Sequence, residues 1–72
     1  MEYELVHEIK NSCPNNQMRD VFIDEVDTED PLSLVRQLLG GEPDELTVEQ
    51  RRDGVTVFAL RDGLRHVFTF TI

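Results

Sequence analysis

Arg52-Asp53-Gly54-Val55-Thr56-Val57-Phe58-Ala59-Leu60-Arg61-Asp62-Gly63-Leu64-Arg65-His66-Val67-Phe68-Thr69-Phe70 decides the fold. Asp-Gly occurs twice in it, each time between runs that alternate apolar and polar residues, as half-buried strands do. Two tight hairpins are expected, with Asp53-Gly54 and Asp62-Gly63 as two-residue type I′ loops, since both central positions of that turn need positive φ. Counting outward from the turns pairs Val48 with Ala59 and Ala59 with His66, then Gln50 with Val57 and Val57 with Phe68, then Val55 with Phe70. These residues form the core face. The opposite face carries Thr47, Glu49 and Arg51 on one strand, Thr56, Phe58 and Leu60 on the next, and Arg65, Val67 and Thr69 on the last. It is polar except for a strip of Phe58, Leu60 and Val67.

Upstream, Thr28-Glu29-Asp30-Pro31 has the form of a helix start. Asp30 is placed to accept from the orphan amides of the first turn, and Pro31 at the first helical position wastes no donor. Leu32, Val35 and Leu39 share one face, and Gly40-Gly41 supplies a left-handed stop, so the helix is read as running to Leu39. Further back, Glu2 to Lys10 alternates, with Tyr3, Leu5, His7 and Ile9 on one side. A second strand is read from Arg19 to Asp27, centred on Val21-Phe22-Ile23 and Val26, after an Asn-, Ser- and Pro-rich loop over 11–18. The expectation is a single α+β domain of ββαβββ order spanning residues 1–72. Its five antiparallel strands run in the order 3-4-5-1-2, the arrangement that keeps all neighbours antiparallel, with one short helix packed on one face.

Seventy-two residues with 39% apolar content, no Trp and one cysteine make a thin core without a disulfide. A domain this small buries only about 60% of its unfolded surface, so help from a partner subunit is an expectation from size alone. The formal net charge is −8. It argues against nucleic acid, whose phosphates need a basic surface, and against acidic membrane surfaces. The acids concentrate before residue 51, with six between Asp20 and Asp30 and no base among them. They lack the order of a calcium loop and are read as a solvated face plus helix capping. The single cysteine, the lack of a basic and apolar leader after Met1 and the absence of any long apolar run are read together as a soluble, cytoplasmic chain.

The only thiol sits in the loop with three carboxamides and an arginine: Cys13, Asn15, Asn16, Gln17 and Arg19. A lowered thiol pKa there would give a redox-sensing, metal-binding or small-ligand site, whereas a simple turn built on Pro14 and the asparagines explains the same residues. His7 and His66 both fall on inward-facing positions. Joined with Cys13 they would form a metal or catalytic cluster, but no pair has zinc-knuckle spacing, and hydrogen-bonded core histidines are the expectation. No phosphate-binding glycine loop, nucleophile signature or paired CxxC is present. No catalytic residue, metal or cofactor is therefore assigned. The functional expectation is a small acidic, non-catalytic interaction or regulatory module. It self-associates or docks a protein partner through Phe58, Leu60 and Val67, a strip extended by Val6, Phe22 and Val26, or through the third strand's edge, where Glu49 and Arg51 pair across a two-fold axis. The alternative is the thiol-dependent site at Cys13.

Overall fold

The computed structural model describes residues 1–11 and 19–72, Asn11 and Arg19 through their backbone only. The elements are β1 (Glu2–Asn11), β2 (Arg19–Asp27), α1 (Pro31–Leu39), β3 (Glu45–Arg51), β4 (Gly54–Arg61) and β5 (Leu64–Thr71). All five strands form one antiparallel sheet in the order β2-β1-β5-β4-β3, the expected order read from its other edge. The centre of the sheet is β5, and the chain's two ends meet there because β1 pairs with β5.

The helix lies on one face only. Asp30 caps it, accepting from the Ser33 amide at 3.4 Å and from the Ser33 hydroxyl at 2.7 Å. Gly40 ends it at φ 76° in the left-handed region, with its amide donating to the Arg36 and Gln37 carbonyls. Such a helix is too short to persist alone and depends on the sheet. Val35 is its buried anchor, set against Leu5, Val55, Val57, Ala59, Phe68 and Phe70, with Tyr3, Val26, Leu32 and Leu46 around them. The helix starts just after Asp27, which pairs with Glu2 at one end of the sheet. It finishes at the other end, where Arg61 donates to the Leu39 carbonyl. The helix thus crosses the sheet from the β2 side toward β4, and the corner formed by β2, β1 and β5 near Ile9 lies off its path.

The second hairpin follows the sequence reading: Asp62 at φ 52° and Gly63 at φ 76° make the two-residue loop, and Ala59 faces His66, Val57 faces Phe68 and Val55 faces Phe70. The first hairpin differs. Its loop is Arg52-Asp53, and Gly54 is the first residue of β4, facing Arg51. Val48 therefore pairs with Val57 rather than Ala59, and Gln50 with Val55 rather than Val57. The shift is two residues, so every side chain keeps its face. The physical reason lies in what Gly54 touches. At φ 156° a Cβ built on it would stand 1.8 Å from the Phe70 carbonyl oxygen, so this glycine serves the close approach of two backbones. The bare position also lets Arg51 reach across β4 to donate to the Phe70 carbonyl at 3.1 Å.

Candidate functional site

Among the described residues, none forms a layer over the face turned away from the helix. Strand pairing places its residues in rows across the sheet, beginning at the end where β1 leads into the 12–18 segment. Lys10, Arg65, Leu60 and Glu45 stand in the first row, and Val21, Glu8, Val67, Phe58 and Thr47 in the second. Ile23, Val6, Thr69, Thr56 and Glu49 form the third, and Glu25, Glu4, Thr71, Gly54 and Arg51 the fourth. Phe58 pairs directly with Val67, and Leu60 lies diagonally beside them, so the expected strip of Phe58, Leu60 and Val67 is one cluster.

The extension of that strip is corrected. Val6 does lie on the outer face, but Phe22 and Val26 point to the helix side, because Phe22 pairs with His7 and Val26 with Tyr3. Val21 and Ile23 take their places. Ile23 is 71% exposed, Val21 44% and Phe58 41%, so these three stand open to water in an apolar belt that the half-buried Val6 and Val67 complete between threonines and glutamates. Val6 joins the two halves of the belt as the diagonal neighbour of Val67, a spacing within reach of side-chain contact. Glu8, between them, leans toward Lys10 at 3.9 Å. Arg51 is held within its own chain: besides the Phe70 carbonyl it pairs with Asp53 at 3.6 Å.

Beyond the belt, four carboxylates, Glu2, Glu4, Glu25 and Asp27, line an open cleft of about 500 Å³. The Met1 ammonium sits beside it, 2.9 Å from Asp27 and 3.0 Å from Glu29.

On the helix side, the two histidines separated by 59 positions meet. His7 Nε2 and His66 Nδ1 are 3.0 Å apart, so in the neutral pair one nitrogen donates its proton to the other. His7 stacks on Phe68, their ring centroids 4.0 Å apart, and Phe22 flanks it at 5.9 Å. Among the described residues no third histidine, cysteine or carboxylate joins them in a metal-binding group. Burial first, and the neighbouring His66 second, push His7 down to about 4. Burial, followed by Arg61, lowers His66 as well. Both rings are thus neutral at pH 7, and the pair forms an aromatic, hydrogen-bonded extension of the core.

A pH dependence follows. The folded state holds the His7 proton less tightly than the unfolded chain, where histidine titrates near 6.5, so the unfolded state takes up the proton first as pH falls. The stabilisation is complete above about pH 6.5 and is lost as pH drops toward 4. His7→Phe preserves the stack with Phe68 and removes the proton, so its melting temperature should fall less steeply over that window than that of the unsubstituted chain. Parallel curves for the two proteins would show that His7 is not the linked group.

Cys13, Asn15, Asn16 and Gln17 lie outside the described residues, and of Arg19 only the backbone is placed, at the start of β2. Among the described residues no helix is long and apolar enough to cross a membrane. Compared with protein-family models, curated proteins and solved structures, the chain matches none.

Proposed function

We propose that the chain is a small acidic, non-catalytic interaction module that self-associates through the outer face of its sheet. One observation carries this reading. The outer face carries an apolar belt, and among the described residues the helix covers only the other face, so Phe58, Val21 and Ile23 are left in water where a second layer would normally lie. A standard interface takes about 800 Å² from each partner. That is roughly a sixth of the 5082 Å² surface. The association offsets the thinness of the core by burying apolar area that folding alone leaves exposed.

Phe58→Asp tests it. The substitution puts a charge in the middle of the belt while the core face behind it is untouched, so the far-UV circular dichroism spectrum should persist as the sedimenting mass falls to that of one chain. Unchanged association of Phe58→Asp would remove the outer face from the contact.

A further inference from the structure

The charges bordering the apolar belt are sorted by row. Above it, Lys10 on β1 and Arg65 on β5 stand side by side; below it, Glu4 and Glu25 pair across β1 and β2, with Glu2 and Asp27 one row further. At the far edge the order is reversed, with Glu45 above the belt and Arg51 below it on β3. Strands β1 and β3 thus each carry opposite charges at their two ends on this face. The net charge of −8 makes two copies repel at a distance, so a stable contact needs local opposite charges across it.

We infer that the partner on this face is a second copy of the chain, stacked sheet on sheet about a two-fold axis that lies between the copies and runs perpendicular to the strands. This rests on the self-association proposed above and adds its orientation. Such an axis keeps each strand over the same strand of the partner and exchanges the upper and lower rows. Lys10 then faces the Glu4 of the second copy, Glu45 faces its Arg51, and the second and third rows, with Val21, Phe58 and Val67 against Ile23, Thr56 and Thr69, close on each other. An axis parallel to the strands would instead leave upper rows against upper rows with the strand order reversed, setting Arg65 of the central strand against its own copy and placing Lys10 over Leu60 and Glu4 over Gly54, so that neither β1 charge meets an opposite one. Like charges stacked in that way work against the contact. Aligned sheets cross at about 30°, which displaces edge strands more than central ones. The pairing is therefore best tested on β1, next to the central strand, where Lys10 and Glu4 are both exposed and absent from the core.

Three variants and the unsubstituted chain, compared by sedimentation equilibrium, decide the orientation. Lys10→Glu and Glu4→Lys each set like charges against each other and should weaken dimerisation about tenfold or more. The double variant restores opposite charges in reversed positions and should recover the original affinity to within about threefold, a coupling that an isologous contact of this orientation requires. Circular dichroism controls for folding. A double variant as weak as the product of the two single effects would overturn the orientation while leaving self-association standing, and so would single variants that associate normally. A chain that sediments as a monomer before any substitution would overturn the self-association itself and the orientation with it.

Discussion

Phe70→Ala is expected to lower the stability of the protein by about 3–5 kcal/mol at 25 °C. Phe70 is fully buried on the central strand, between Leu5 of β1 and Val55 of β4, with the Tyr3 ring edge-on at 5.8 Å and 82°. Truncating such a ring costs about 3–5 kcal/mol, because the lost transfer energy is joined by a cavity that neighbouring strands cannot close. A domain of this length has about 4–11 kcal/mol in all. The substitution thus removes about a quarter of the stability at best and all of it at worst. Urea denaturation followed by circular dichroism measures the effect, with Leu38→Ala, an exposed apolar position on the helix away from the outer sheet face, as the comparison that should change little. A Phe70→Ala transition within about 1 kcal/mol of the original would mean that the ring is not the centre of the core.

Gly54→Ala should be of similar size although it adds one methyl group. The added carbon would lie 1.8 Å from the Phe70 carbonyl oxygen, 2.8 Å from its carbon and 3.1 Å from the Thr71 Cα, all backbone atoms of β5. No rotamer relieves that clash. Either the β3–β4 turn reshapes or β4 parts from β5, and the positive φ of 156° adds strain for any side chain. The expected loss is about 3 kcal/mol or more. Gly41→Ala is the control, since its added carbon meets only the Arg61 guanidinium, at 2.9 to 3.1 Å, the far end of a flexible side chain that can swing aside by giving up its bond to the Leu39 carbonyl. Its cost should stay below about 1 kcal/mol. Equal stability of the two variants in urea would show that the backbones of β4 and β5 do not close as described.

These two positions mark where the sequence can and cannot be read. The burial of Phe70 follows from alternation alone, because Phe68 and Phe70 fall on one face whichever turn starts the strand. The role of Gly54 does not. Asp-Gly is the pattern of a type I′ loop, and it was used as one at Asp62-Gly63; at Asp53-Gly54 a longer-range demand, the approach of the β5 backbone, decides instead where the loop ends. The helix is legible residue for residue, since Asp30-Pro31 and Gly40 are local signals whose physics is complete within a few positions. The face of β2 is not. Val21-Phe22-Ile23 is an unbroken apolar run without alternation, and no Asp-Gly pattern precedes it from which a register could be counted, so nothing local in the sequence separates Phe22 from its neighbours. That is why Val21 and Ile23 were missed as members of the outer belt. The meeting of His7 with His66 depends on β1 lying beside β5, which follows from the antiparallel strand order, but their diagonal contact needs the β1–β5 register, which no turn sets.

The open outer face is the feature on which the functional account depends, and sedimentation equilibrium of the unsubstituted chain tests it most directly. From low micromolar to hundred-micromolar concentration at ordinary salt, the account predicts a reversible monomer–dimer equilibrium whose limiting mass is twice that of the chain. A single species of one chain's mass over the whole range would contradict it.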